Sequence, residues 1–130
     1  MILDTSFLLD VRHGDSAAIR LASQLDSDHA YQRVSSITVA ELFAGVPRSP
    51  NPEKEQQNII SVVLSKEVVP IDERIAQRAG RLHGELYNDG APVDMHDCLI
   101  AATSIDFEEP VVTRNVDHFE RFADVAVREY

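Results

Sequence analysis

Met1-Ile2-Leu3-Asp4-Thr5-Ser6 opens the chain with three apolar residues, an acid and two hydroxyl residues. Such a run reads as a short buried strand that ends in a helix cap, with Thr5 or Ser6 capping a helical segment over Phe7–Val11. The same change of period recurs downstream. Ala18, Ile19, Leu21, Ala22 and Leu25 give residues Asp15–Asp26 a helical repeat, and Tyr31–Ser36 reads as a second strand. Ser36-Ile37-Thr38 then opens a helix through Ala44, stopped by Gly45 and Pro47. Pro47–Pro52 reads as a turn-rich link, Glu53–Leu64 as a helix, and Val68–Ile71 as a β-branched strand interrupted by Pro70. Asp72–Tyr87 is helical by the spacing of Ile75, Ala79, Leu82 and Leu86, and Asn88-Asp89-Gly90 marks a turn. An apolar helix over Asp97–Thr103, a strand over Val111–Thr113, a short helix over His118–Phe122 and a last strand over Val125–Val127 complete the reading. Strands alternate with helices throughout, which implies an α/β fold with a mostly parallel sheet and helices on both faces.

The 130 residues amount to one domain, 1–130, able to bury roughly two-thirds of the surface its unfolded chain exposes. The single Cys98 has no partner within the chain, which suits a reducing cytoplasm. No apolar run approaches the ~20 residues needed to cross a bilayer. The start lacks a basic region and is interrupted by Asp4, unlike a secretory leader. A formal net charge of −10 repels phosphates, so any nucleic-acid function needs local arginines or bound cations to overcome the field. Only Lys54 and Lys66 are lysines, and an acidic excess with scarce lysine is also the pattern of a salt-adapted host.

Four acids sit where strands end or helices begin. Asp4 follows a strand, Glu41 lies in a helix entered directly from a strand, Asp97 starts an apolar helix, and Asp117 lies in the loop after Val111–Thr113. In a parallel α/β sheet these places can converge on one edge. Converging carboxylates raise one another's pKa and call for a neutralising cation. Hard oxygen donors without a thiolate or imidazole partner suit Mg²⁺ or Mn²⁺, the ions that assist phosphodiester hydrolysis.

The local contexts resemble a known family. Ile2-Leu3-Asp4-Thr5-Ser6 is similar to the opening motif of PIN domains, and Ser35-Ser36-Ile37-Thr38-Val39-Ala40-Glu41-Leu42 with Gly45 to the second. Asp97-Cys98-Leu99-Ile100-Ala101-Ala102-Thr103 resembles the third, and Val112-Thr113-Arg114-Asn115 with Phe119 the fourth. All four occur in family order across nearly the whole chain and match the VapC branch in particular. The resemblance implies a three-layer α/β/α PIN fold and a Mg²⁺-dependent endoribonuclease with Mn²⁺ as a substitute. It also implies an RNA substrate, a VapB-like antitoxin that blocks the site, and a homodimer. Carried over by motif, Asp4, Glu41 and Asp97 are the metal-site acids. The family's fourth acid aligns with Asn115, a neutral ligand, and Asp117 two residues on is the alternative. Asp4 and Asp97 would bind the ion, and Glu41 would orient or deprotonate the attacking water. Thr5, Ser6 and Thr113 would supply hydroxyls, and Arg114 would hold a phosphate.

His96 and His118 flank these acids and read more simply as surface histidines, while Cys98 reads as a small buried hydrophobe. Asp94 is assigned to the preceding turn. Two other functions fit the same motifs: a housekeeping RNA-processing PIN nuclease without an antitoxin, and an inactive PIN module, for which Asn115 speaks. A phosphatase forming an aspartyl-phosphate would need an acid where Ser6 stands.

Overall fold

In the computed structural model, which describes residues 1–130, Ile2 and Leu3 form the central strand β1. The chain then runs through α1 (Thr5–Arg12), α2 (Ser16–Ser27), β2 (Arg33–Ser35), α3 (Ser36–Ala44), a 3₁₀ turn at Val46–Arg48, and α4 (Pro52–Leu64). It continues with β3 (Glu67–Val69), α5 (Glu73–Asn88), α6 (Met95–Phe107), β4 (Val111–Val112), α7 (Val116–Phe119) and β5 (Val127–Arg128). The five strands form one sheet in the order β3-β2-β1-β4-β5, and every pairing is parallel. The expected α/β/α fold is what the chain adopts, with the sheet parallel throughout.

Successive strand residues point to opposite faces, and each central strand uses that alternation once. Ile2 and Val111 enter one core with Val69, Ile75, Ala79, Ile100 and Phe119. Leu3 and Val112 enter the other with Val34, Phe7, Leu21, Leu25 and Ile59. Thus α5 and α6 cover one face, while α1, α2, α3 and α4 cover the other. Helix α6 is apolar on nearly every side and correspondingly buried, at Cys98 and from Ile100 through Ser104. No helix is long and apolar enough to cross a membrane.

Element boundaries depart from the expected ones for identifiable reasons. The α1 cap is Asp4 rather than Thr5 or Ser6. Asp4 holds the extended conformation of a cap and accepts from the Thr5 N–H, while the two hydroxyl residues are already helical. The third strand ends at Val69, because Pro70 has no N–H for the ladder. Helix α6 begins two residues before Asp97, with Asp94 at the cap position. Asp117 lies in the first turn of α7, not in a loop, and the last strand begins two residues later and ends one residue later than expected. The expected turn at Asn88-Asp89-Gly90 is present, with Gly90 at φ +74°, a conformation open to glycine without strain.

After β3 the chain crosses β1 to reach β4, so the strand order reverses at β1. The crevice beyond the carboxyl ends of β1 and β4 is the place where open α/β sheets hold ligands.

Candidate active site

Asp4 stands at that reversal and is only 3 % exposed. Its Oδ1 accepts from the Thr5 N–H at 2.8 Å, and its Oδ2 accepts from Ser6 Oγ at 2.8 Å and Thr113 Oγ1 at 2.7 Å. Thr113 follows β4, so one hydroxyl from each central strand end fixes the carboxylate. The Ser6 and Thr113 hydroxyls are themselves 3.3 Å apart.

Glu41 reaches the same edge from α3. Thr5 Oγ1 donates to its Oε1 at 3.0 Å and lies 3.1 Å from the buried Thr38 hydroxyl. Burial raises the Glu41 pKa above the ordinary carboxylate value, the Thr5 bond opposes that rise, and the charges of Asp4 and Asp97 add to it. Asp97 arrives from the first turn of α6. Burial is again the main cause of its raised pKa, opposed by His118 and reinforced by the charges of Asp4 and Asp94. Three acids from three separate segments therefore share one field. No arginine or lysine answers it. The nearest basic groups are His118, whose Nδ1 is 2.9 Å from Asp97 Oδ2, and His96, whose Nδ1 is 3.7 Å from Glu41 Oε2. Both histidines are exposed, as read from the sequence, yet both lie against the acids. Cys98 is buried as expected, and its thiol is pushed up to about 11 by burial and then by Asp97 and Asp94.

The fourth position differs. Asp117 and Asn115 are exposed and line an adjoining polar pocket with Arg114, His118 and Glu129, in which His118 touches Asp97. The Asn115 N–H donates to Thr113 Oγ1 at 2.9 Å, so its backbone rather than its amide side chain supports the site. Arg114 joins the two regions. Its N–H donates to Ser6 Oγ at 3.2 Å, and its guanidinium Nη1 donates to Asp10 Oδ1 at 2.6 Å. Asp10, Tyr130 and Thr38 hold the residues around the site, and the sequence does not single them out. Asp10 sits on an apolar-looking helix, Tyr130 is 120 residues from its partner, and no local spacing marks either.

The carboxylate and hydroxyl oxygens suit a hard divalent cation that relieves their repulsion, although, against the sequence expectation of no imidazole partner, His96 and His118 stand beside them. No three His, Cys, Asp or Glu side chains already stand in ligand geometry around one point. Mg²⁺ retains several waters and takes one or two carboxylates directly, so it needs no closed cage of side chains.

Comparison with known proteins identifies the family and the fold. The PIN domain family model matches residues 1–125. A tRNA(fMet)-specific endonuclease VapC from Salmonella typhimurium is 31 % identical over 97 residues, 75 % of this chain and 74 % of the relative. A Ribonuclease VapC from Rickettsia bellii is 25 % identical over 98 % of this chain and 93 % of its own length. Among solved structures, the DNA-bound VapBC of Salmonella typhimurium superposes with a TM-score of 0.87 at 26 % identity, covering 98 % of this chain and 96 % of that one. VapBC2 of Rickettsia felis, bound to a DNA fragment from the promoter, gives 0.84 at 26 % identity, covering 99 % and 97 %.

Proposed function

The chain belongs to the PIN-domain family, in its VapC ribonuclease branch, and on that premise we propose that it is the Mg²⁺-dependent endoribonuclease of a toxin–antitoxin pair. The observation that carries this reading is the meeting of Asp4, Glu41 and Asp97 at the sheet reversal, with hydroxyls and imidazoles but no arginine or lysine to balance them.

Asp4 and Asp97 are the residues that would hold the ion, Asp4 with its rotamer fixed by Ser6 and Thr113. Bound there, Mg²⁺ or Mn²⁺ supplies Lewis acidity and neutralises charge on the scissile phosphate. Glu41 has Oε1 engaged by Thr5, which leaves Oε2 to take the proton of the attacking water. A carboxylate with a raised pKa is the better base for that step near neutral pH. Arg114 keeps free guanidinium donors for a substrate phosphate. Cleavage leaves a 5′-phosphate and a 3′-hydroxyl. The VapBC assemblies among the structural neighbours support a VapB-like antitoxin as the partner, with a homodimer and a cytoplasmic setting as further expectations.

Purified protein is expected to cleave RNA with Mg²⁺ or Mn²⁺ and to stop in EDTA. Asp97→Asn should lower cleavage by about a thousandfold or more. Undiminished cleavage by that variant rejects the assignment. Copurification of a small partner encoded beside this chain separates the toxin from a housekeeping nuclease.

A further inference from the structure

Asp10 is a buried carboxylate that the proposed chemistry does not use. It projects from the second turn of α1 and is 7 % exposed. Both of its oxygens are bonded. Oδ1 accepts from Arg114 Nη1 at 2.6 Å, and Oδ2 accepts from the Tyr130 hydroxyl at 2.6 Å. The Tyr130 ring packs edge-on against Phe7, with centroids 5.1 Å apart, so the phenol is held from both ends. Burial, then the bond to Asp10, raises the Tyr130 pKa, so the hydroxyl remains a donor.

The third member differs from the other two. The Arg114 side chain is 62 % exposed. Its backbone is tied to Ser6 Oγ, the hydroxyl that donates to Asp4, so the arginine sits two hydrogen bonds from that site acid. A guanidinium carries five N–H donors, and Asp10 engages a single nitrogen. Two further carboxylates, Asp117 and Glu129, line the pocket beside it. In a chain of net charge −10, an untethered arginine would fold onto them.

We propose that Asp10 and Tyr130 are positioning residues that hold Arg114 as a preset phosphate fork at the mouth of the site, an inference that rests on the nuclease reading above. Tyr130 orients Asp10, Asp10 fixes one nitrogen of Arg114, and the remaining donors face the approaching RNA backbone. Fixing the fork beforehand removes an ordering step from substrate binding, so its effect falls on KM rather than on kcat.

Two measurements test this. In ¹⁵N NMR, the Arg114 guanidinium should show restricted, resolved N–H signals in the wild type and averaged signals in Asp10→Asn. In steady-state cleavage of a short labelled single-stranded RNA, Asp10→Asn should raise KM about tenfold, with kcat within about twofold. In an Arg114→Ala background the same substitution should have no further effect. Tyr130→Phe retains the ring on Phe7, guards against a misfolded Asp10 variant, and should raise KM by a smaller factor. Equal effects of Asp10→Asn with and without Arg114 would assign Asp10 a structural role and overturn the proposal. So would a freely rotating Arg114 in the wild type. Absence of RNA cleavage by a wild type whose Arg114 is restrained overturns the nuclease reading, and with it the fork's substrate role, while leaving the tether itself established.

Discussion

At the amino end of the parallel sheet, Arg33 lies between Glu67, at 2.9 Å, and Glu109, with its guanidinium 4.6 Å from the Tyr31 ring centroid and 4.8 Å from that of Phe107. At the carboxyl end, Asp4, Glu41 and Asp97 lean on hydroxyls and two imidazoles. The first edge closes its own charge and stacks aromatic surface over it, a pattern suited to holding a fold together. The second keeps like charges together at a reversal of strand order, where the fold gains nothing from them. Charge that the chain balances by itself serves stability, and charge it leaves unbalanced at a crevice points to a ligand from outside.

Opposite responses to mutation give the largest test of that contrast. Arg33→Ala leaves Glu67 without its cation and Glu109 with the Met1 ammonium alone, strips the stack from Tyr31 and Phe107, and should destabilise the protein by about 2 kcal/mol, lowering Tm by about 8 °C. Asp97→Asn removes one member of the repelling set and should leave Tm unchanged or raise it by a few degrees. Thermal unfolding of the two variants side by side checks this, and a matching loss of Tm in both would erase the distinction between the edges.

Divalent ions offer a smaller effect. Mg²⁺ at ten times its Kd should add about 1.4 kcal/mol to the wild type and raise Tm by about 5 °C. The gain should shrink in Asp97→Asn and stay intact in Arg33→Ala. Calorimetric scans with and without MgCl₂ measure all three chains, and an ion effect that follows Arg33 instead would place the binding at the wrong edge.

The smallest effect is in pH. Burial and neighbouring acids raise Asp97 and Glu41 above their ordinary values of 3.8 and 4.5. Just above those values the folded chain still holds protons that the unfolded chain has released, so these two groups lower stability as pH rises through that window. The penalty is complete once pH exceeds the folded values. Glu55 acts in the opposite sense, since the bond from Arg12 lowers its pKa and its contribution is lost as pH falls. The difference in unfolding free energy between Asp97→Asn and the wild type should therefore grow from about pH 4 to about pH 7. Urea titrations across that range would show it, and a constant difference would mean that Asp97 titrates in the fold as it does in water.

Much of this architecture is legible before folding, and the illegible parts share a physical cause. Asp4, Glu41 and Asp97 each adjoin an apolar run whose period identifies a strand end or a helix start, and the chain alternates such runs regularly. The strands, at two or three residues, are too short to show a period of two, so their limits shift by a residue or two. Helix α6 is buried on most sides, so it has no polar face to mark its beginning, and Asp97 looks like its first residue when Asp94 holds the cap position. Asp10 and Tyr130 meet across 120 residues, and their pairing depends on β5 docking beside β4, which no local pattern encodes. Asp117 follows a strand as a site acid would, yet α7 forms around it and keeps it exposed.

With two residues, β1 supplies a single side chain to each core and then, without a spacer, Asp4. Removing or adding a residue there exchanges the two hydrophobic environments and displaces the carboxylate in the same event. Evolutionary drift at this strand must therefore proceed by substitution at constant length. Insertions and deletions are left to surface connections such as the turn at residues 88–90.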